Sequence, residues 1–207
     1  DIGCYESELG ALLSSTTLHK VPEQYTTIQS AIDASANGDT ILINDGTYVE
    51  NLIIQNKRIT LSSLMLIDED QSHISNTIID GNLNGSTIQL DNIYSGVLLN
   101  GFTIQNGFST THGGGVFCSG SSPSLNHLIV KNNEAFSNGI KQGGGIYANN
   151  SSPTITNTKI SGNKSYTGGG LYITGGSSLT IKNVLFSNNA PLDRGGGLYI
   201  TGSTAEI

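Results

Sequence analysis

The densest group of side chains that could do chemistry in this chain is the acidic run Asp68, Glu69 and Asp70. Ca2+ prefers several oxygen ligands, which three adjacent carboxylates in one loop can supply. The spacing matches no calcium-loop motif, so two interpretations stay open: a weak calcium site, and a solvated surface loop, which we favour. No other cofactor is expected.

The remaining titratable residues form no comparable cluster in the sequence. The four histidines share no spacing, which predicts solvated or ladder positions, and the cysteine pattern predicts no transition-metal site. Two interpretations of the cysteines stay open: a disulfide between Cys4 and Cys118, and a buried free thiol at Cys118. Cys118 takes the inward position that Ala148 has in the next repeat. After residue 92, only Asp193 and Arg194 place opposite charges side by side. Acid–base catalysis needs several titratable groups on one face, so we predict no catalysis by the later part of the chain.

A row of aromatic residues is the feature that most suggests binding. Phe117, Tyr147, Tyr172 and Tyr199 each lie between two apolar residues in strand-like alternation, which places all four outward on one face. This predicts an exposed aromatic ladder that stacks sugar rings or receives the apolar surface of a partner. The alternative, which we favour, is that the rings support the sheet or pack beneath a loop.

Four Gly-Gly-Gly triplets precede these rings and indicate how they are positioned. The triplets begin at Gly113, Gly143, Gly168 and Gly195, so their starts are 30, 25 and 27 residues apart. Repeats of this length form one stackable unit each, and the alternation within them indicates short strands rather than helix pairs. Successive units can hydrogen-bond about 4.8 Å apart. The sequence therefore predicts an all-β fold, a parallel β-helix.

An asparagine row supports the same architecture. One asparagine follows the second strand of each unit, and stacked amides can satisfy polar groups at a bend. We predict a structural asparagine ladder rather than a functional site. Its members are Asn106, Asn133, Asn163 and either Asn188 or Asn189.

The segment before the repeats predicts a short capping helix. Residues 21–38 place Ile28, Ala31, Ile32 and Ala36 on one helical face, and Asn37-Gly38 ends the pattern. Thr26 or Thr27 can serve as the N-cap. Such a helix would cover the exposed edge at one end of a β-helix.

The domain organisation follows from these segments. We expect residues 1–20 to be a tail or linker from a preceding domain, and residues 21–207 to form the β-helix. Within it we expect the capping segment 21–38, irregular first turns over 39–112 and the Gly-Gly-Gly turns over 113–207, the last turn being incomplete. The predicted early strands are Thr40–Asn44, Tyr48–Gln55, Ile59–Ser62, Ile74–Asp80, Thr87–Leu90 and Val97–Gln105.

Charge narrows the classes of partner. The net charge is -7, and 13 of the 16 acidic residues lie at or before Asp91, so the repeats are nearly neutral. This pattern lacks the basic stripe of a nucleic-acid-binding protein. The sequence also contains no 18-residue apolar stretch, so we expect no membrane span.

Several segments resemble a known family. The segments 25–33, 37–43, 46–51, 59–61 and 77–81, which include Tyr-Thr-Thr-Ile-Gln-Ser-Ala-Ile-Asp and Thr-Ile-Ile-Asp-Gly, resemble the opening of right-handed parallel β-helix proteins in the pectin-lyase-like superfamily. Pectin methylesterases begin similarly, but the segments that carry their catalysis are not found after Gly81. The Gly-Gly-Gly-apolar-Tyr coils resemble secreted bacterial β-helix repeat proteins and polymorphic outer-membrane adhesins.

This resemblance implies an extracellular or cell-surface protein of bacterial origin. The first functional hypothesis is a module without catalysis that acts as an adhesive, scaffold or glycan-contacting stalk. The alternatives are a fragment of a polysaccharide lyase or pectin esterase, and a segment that stacks into fibres. Expected partners are a polysaccharide or cell-surface molecule, and further turns or another copy at the C-terminal end.

Overall fold

The structure, a computed structural model, describes residues 16–93, 95–136 and 141–207. Cys4 and most of the predicted tail lie outside these residues. The helices are α1 (Ile28–Ala34), α2 (Met65–Asp68) and α3 (His73–Asn76). The strands are β1 (Leu18–Val21), β2 (Thr40–Ile43), β3 (Gly46–Val49), β4 (Leu52–Gln55), β5 (Thr60–Ser63), β6 (Thr77–Asp80), β7 (Ile88–Asp91), β8 (Leu98–Asn100), β9 (Thr103–Gln105), β10 (Phe108–Ser109), β11 (Val116–Ser119), β12 (Ser124–Asn126), β13 (Ile129–Lys131), β14 (Glu134–Ala135), β15 (Ile146–Asn149), β16 (Thr154–Ser161), β17 (Lys164–Thr167), β18 (Leu171–Thr174), β19 (Ser178–Ser187), β20 (Ala190–Arg194), β21 (Leu198–Ile200) and β22 (Thr204–Glu206).

These strands form three parallel sheets in a coil of about seven turns. Sheet A has two arms: β1, β2, β5, β8 and β12 form one, and β6, β9 and β13 with β3 form the other. The long strands β16 and β19 run through both arms. Sheet B has the order β4, β7, β11, β15, β18, β21, and sheet C has the order β10, β14, β17, β20. Each strand pairs with its equivalent one turn away, which confirms the predicted parallel β-helix.

The bend between the two arms of sheet A is made by residues in the left-handed region. His127, Asn157 and Asn183 have φ values of 49°, 49° and 54°. Asparagine visits this region more readily than most residues because its short side chain can hydrogen-bond locally. The bend in sheet A therefore recurs in successive turns of the β-helix.

Rows of apolar side chains fill the interior of the coil. In sheet A, for example, Ile41, Leu61, Leu99, Leu125 and Ile155 are fully buried and stack in register. Burying a side chain of this size stabilises the fold by about 1.5–3 kcal/mol. Because one turn of the β-helix cannot enclose such a row by itself, the stability of each turn depends on its neighbours.

Cys118 belongs to an interior row of sheet B. It pairs in register with Leu90 on one side and Ala148 on the other, and its side chain is fully buried. Burial raises the pKa of its thiol to about 12. Cys118 thus acts as a small apolar residue, as expected, whereas Cys4 lies outside the described residues.

The capping helix is present but shorter than predicted. Thr27 is the N-cap, with its side chain accepting a hydrogen bond from Ser30 N, and Ile28, Ala31 and Ile32 are buried. The helix ends at Ala34, so Ala36 is exposed. The expectation that Ala36 belongs to the buried face is therefore wrong.

A carboxylate from the coil completes the N-terminal end of this helix. Glu50 Oε1 and Oε2 accept hydrogen bonds from Ile28 N (2.9 Å) and Gln29 N (3.0 Å). These N–H groups have no partner within a helix, and the helix dipole favours a negative charge beside them. Glu50 thus fastens the capping helix to the coil.

Replacing Glu50 with glutamine is expected to lower the free energy of unfolding by about 1 kcal/mol, because charge-assisted hydrogen bonds are lost. For a chain of this size, the melting temperature should fall by about 2–4 °C. Glu23→Gln is the control, since Glu23 pairs with Lys20 on the surface, where an ion pair contributes about 0–1 kcal/mol. Equal melting temperatures for the two variants would contradict this role of Glu50.

Three boundaries differ from the sequence prediction. The tail was expected to end at residue 20, but β1 pairs with β2 in register, so the coil begins by Leu18. Residues 48–55 and 97–105 each contain a bend between two strands, because the coil must turn between its sheets. The predicted strand over 74–80 begins only at Thr77, since α3 occupies the preceding residues.

No helix in the three described ranges is long and apolar enough to cross a membrane.

Candidate functional site

The four predicted aromatic residues stack in one column on the outer side of sheet B. The ring centroids of Phe117, Tyr147, Tyr172 and Tyr199 lie 5.6, 5.7 and 5.3 Å apart in succession, with interplanar angles of 12°, 14° and 17°. His112 stacks on Tyr147 at 4.5 Å. Strand register brings these side chains together, as the repeat predicts.

The expectation of an exposed ladder is wrong for its two central members. Tyr147 and Tyr172 are only 8% and 5% exposed, whereas Phe117 and Tyr199 are partly exposed. Each ring covers the faces of its neighbours, and burial raises the pKa of both central tyrosines. A sugar ring stacks on an open aromatic face, so the structure leaves mainly ring edges and the ends of the column for contact.

The glycine triplets explain this burial. Gly143 has φ +67°, and a Cβ atom on it would lie 2.9 Å from Tyr147 Cα. A Cβ atom on Gly144 would lie 2.2 Å from Lys164 O, and one on Gly145 would lie 3.0 Å from Asn163 Nδ2. Contacts under 3.0 Å cannot be accommodated without movement, so the triplet allows both the ring and the adjacent coil to approach closely.

The asparagine ladder consists of Asn133, Asn163 and Asn189. Asn163 Oδ1 accepts hydrogen bonds from Asn133 N (3.0 Å) and Nδ2 (3.1 Å). Asn189 Oδ1 accepts from Asn163 N (3.1 Å) and Nδ2 (3.0 Å) in the same way. Asn163 Nδ2 also donates to Val130 O at 2.9 Å. The repeated amide stack satisfies buried backbone groups at the turn into sheet C.

Asn106 and Asn188 do not belong to this stack. They occupy the preceding row, with φ values of 54° and 53°, and Gly107 takes the ladder position in the earlier coil. Gly107 N donates to Asn133 Oδ1, and Asn106 Nδ2 bonds to Asp80 Oδ2 at 2.7 Å instead. The choice left open in the sequence is thus resolved by register in favour of Asn189.

A second ladder, made of serine, was missed by the sequence analysis. The hydroxyls of Ser151, Ser177 and Ser203 each accept a hydrogen bond from the backbone N–H of the corresponding serine one turn earlier, beginning with Ser121 N. The repeated Ser-Ser-Pro at residues 121–123 and 151–153 was a usable signal. It indicates a structural turn rather than a ligand site.

The acidic run is engaged in local hydrogen bonds. Asp68 Oδ1 accepts from Asp70 N, and Asp70 Oδ1 accepts from Ser72 N. Asp68 Oδ2 contacts His73 Nε2 at 3.0 Å. In the described ranges, no three His, Cys, Asp or Glu side chains are grouped so that they could hold a metal ion. We treat Asp68, Glu69 and Asp70 as residues of a surface loop and assign no metal ligand among them; calcium binding stays a prediction of the sequence.

Two of the histidines are buried and paired, so the prediction of solvated or ladder positions is wrong for them. His73 lies between two carboxylates, with Nδ1 2.6 Å from Asp45 Oδ1. His19 Nε2 lies 2.8 Å from Asp39 Oδ2, and its Nδ1 lies 3.0 Å from Tyr25 Oη. Both pairs join segments about 20–30 residues apart, which no local pattern signals.

A groove of about 390 Å3 lies between sheet A and the segment 64–76, which we call the helical insertion because it contains α2 and α3. The insertion contributes one wall and the bend of sheet A the other. The lining residues are Met65, Leu66, Glu69, Gln71, Leu98, Asn100, Asn126 and His127.

The polar groups in this groove are held in place by neighbouring coils. Asn100 Nδ2 donates to Ser62 Oγ (3.0 Å), and Asn126 Nδ2 donates to Asn100 Oδ1 (3.1 Å). Each amide nitrogen has two N–H groups, of which these bonds use one. Asn126 Oδ1 already accepts hydrogen bonds from Thr156 Oγ1 and Asn157 Nδ2. His127 Nδ1 is buried without a hydrogen-bond partner among the described residues. The groove therefore combines amide groups that are fixed by neighbouring turns with the apolar side chains of Met65, Leu66 and Leu98.

The comparisons with known proteins agree with this architecture. The sequence model described as right handed beta helix region matches residues 103–207, and the chain belongs to this family. The coil is accordingly a right-handed β-helix.

Among solved structures, the pectin methylesterase from Aspergillus niger is similar in fold, with a TM-score of 0.54 and 16% sequence identity. The similarity covers 92% of this chain and 76% of that one. A comparison with curated protein sequences finds no significant match.

Proposed function

We propose that this chain is a non-catalytic, secreted or surface-displayed β-helix module that contacts glycans through the groove beside the helical insertion. The observation that carries this proposal is the row of amides fixed by neighbouring coils, Asn100 and Asn126, opposite the apolar side chains of the groove. The aromatic column is assigned a mainly structural role, because its central rings are buried.

The chemistry of the groove suits a neutral, hydroxyl-rich ligand. An amide N–H can donate to a sugar hydroxyl, which both donates and accepts hydrogen bonds. Leu66 and Leu98 provide apolar surface for the C–H face of a sugar ring. Ligand sites commonly combine apolar walls with a few fixed polar groups. Glu69 is the single carboxylate in the lining, whereas glycoside hydrolysis usually requires two.

The test is a binding screen of the full chain against a glycan array and neutral and acidic polysaccharides, followed by titration of the best ligand. The double variant Leu66→Ala/Gln71→Ala should weaken binding at least tenfold, which corresponds to about 1.4 kcal/mol. Both side chains are exposed, so the fold should persist. Ile67→Ala is the matched control, because Ile67 is 66% exposed beside the groove but does not line it.

Other outcomes would overturn parts of this proposal. Unchanged binding by Leu66→Ala/Gln71→Ala, with a loss in Phe117→Ala or Tyr199→Ala, would move the site to the aromatic column. Release of unsaturated or de-esterified product would contradict the non-catalytic assignment; the pectin methylesterase neighbour makes de-esterification the first reaction to assay. Absence of glycan binding throughout would leave a scaffold or self-assembling segment.

A further inference from the structure

We propose that the helical insertion is a pH-gated wall of the groove: a doubly protonated His73, held between Asp45 and Asp68, fastens the insertion to the coil, and deprotonation of His73 releases it. We call these three residues the His73 clasp. The effect on glycan contact rests on the function proposed above, but the clasp itself does not.

The geometry of the clasp favours the charged form of the imidazole, because only that form donates to two ionised carboxylates. His73 Nδ1 lies 2.6 Å from Asp45 Oδ1, and Nε2 lies 3.0 Å from Asp68 Oδ2. A neutral imidazole has one N–H and can donate to only one of these carboxylates; the other would then face a nitrogen lone pair. An imidazolium donates to both. The side chain of His73 is 11% exposed, whereas those of Asp45 and Asp68 are 39% and 50% exposed. Water can therefore hydrate a released carboxylate, but it has little access to the imidazole nitrogen that loses its proton.

The clasp joins two separate parts of the chain. Asp45 lies in the turn between β2 and β3, where it also accepts a hydrogen bond from Thr77 Oγ1. Asp68 ends α2, within the insertion. His73 is the first residue of α3. Deprotonation therefore removes one of these two hydrogen bonds and the charge that strengthens the other.

Few other contacts hold the insertion. Met65 is buried and packs near Gly101, and Thr103 Oγ1 donates to Ile74 O at 2.6 Å. Leu66 and Ile67 are substantially exposed. Two helices of four residues each are too short to be stable in isolation. The clasp is thus a substantial part of what keeps this groove wall in place.

All the charged groups around His73 are acidic. Asp45 and Asp68 contact it directly, and Asp70 interacts with it electrostatically from the turn between α2 and α3. Within the described ranges, neither lysine nor arginine forms a salt bridge with any of these three carboxylates. The hydrogen bond to Asp45 is the largest cause that raises the pKa of His73, and it outweighs the effect of burial.

The raised pKa of His73 determines how the stability of the clasp depends on pH. Because the pKa of His73 is higher in the folded state, its contribution is complete below the unfolded value of about 6.5 and is lost as pH rises through the folded value. The pKa of Asp68 is lowered, chiefly by the hydrogen bond from Asp70 N, so its contribution is lost only when acid protonates it. The clasp should therefore be closed in mildly acidic solution and open in alkaline solution.

Hydrogen–deuterium exchange of the full chain from pH 5 to pH 9, expressed as protection factors to remove the intrinsic effect of pH, tests this proposal. We expect protection of residues 64–76 to fall at least tenfold between pH 6 and pH 9, while protection of β12, β16 and β19 stays constant. His73→Gln should give low, pH-independent protection of the insertion, and Asp45→Asn should move the transition to lower pH. Far-UV circular dichroism verifies that both variants keep the coil.

Constant protection of residues 64–76 in the wild type, or a wild-type pH profile in His73→Gln, would overturn the clasp. A pH transition without glycan binding would retain the clasp and reject the proposed function. Glycan binding that is equal at pH 6 and pH 9, despite an open insertion, would retain the function but reject its gating.

Discussion

Replacing Gly144 with alanine is expected to lower the free energy of unfolding by about 3 kcal/mol or more. The new Cβ atom would lie 2.2 Å from Lys164 O and 2.7 Å from Gly169 O. Both oxygens belong to the backbone of the next coil, which is held by its own ladder of hydrogen bonds, so neither can move away cheaply. Overpacking of a rigid site costs about 1–3 kcal/mol and occasionally more, and backbone contact places Gly144 at the upper end.

Thermal unfolding measures this effect against a matched glycine. A loss of 3 kcal/mol should lower the melting temperature by about 6–12 °C, at about 2–4 °C per kcal/mol for this chain length. Gly176→Ala is the control: a Cβ atom there meets nothing within 4 Å, and the left-handed φ of +73° alone should cost about 1–2 kcal/mol. If Gly144→Ala were no more destabilising than Gly176→Ala, close approach of the coils would not be the reason for the triplets.

Asn163→Ala should be similarly damaging, with a loss of about 3–5 kcal/mol. Its side chain is fully buried and satisfies Asn133 N, Asn133 Nδ2 and Val130 O. Each buried polar group left unpaired costs about 1–3 kcal/mol. Alanine also removes a link in a ladder that crosses three coils, so the damage should extend to both neighbours.

Asn188→Gly is the control that distinguishes the effect of the asparagine ladder from that of the adjacent bend. Asn188 is exposed and has φ 53°, a conformation that glycine adopts freely, so the change should alter stability by about 0.5 kcal/mol or less. Chemical denaturation of both variants gives the two free energies. Comparable losses at Asn163 and Asn188 would contradict the assignment of the stack to Asn133, Asn163 and Asn189.

These ladders bear on function because they make the coil a rigid support. Glycine triplets bring the coils together, buried amides and serine hydroxyls fix their register, and stacked rings brace sheet B. A fold of this kind hosts unrelated functions, so function must be argued from a particular surface. The surface that we propose is the groove, because it joins the regular sheet to an irregular insertion.

Sequence periodicity predicted some features of the aromatic column but not others. The column consists of Phe117, Tyr147, Tyr172 and Tyr199. Periodicity predicted that the rings share one column, but it could not predict that Tyr147 and Tyr172 are buried. Alternation reports the side of the strand on which a residue lies. It does not report how closely the backbone approaches on that side.

The parallel β-helix, the interior position of Cys118 and the existence of an asparagine ladder could all be predicted from the repeat in the sequence. This was possible because equivalent residues recur one turn apart, and neighbours in the fold are therefore neighbours in the repeat. The folded chain was needed to show that Asn189 rather than Asn188 completes the ladder, and that His73 of the helical insertion contacts Asp45. The helical insertion interrupts the repeat, so its contacts depend on how the whole chain folds back on itself, and no local spacing specifies them.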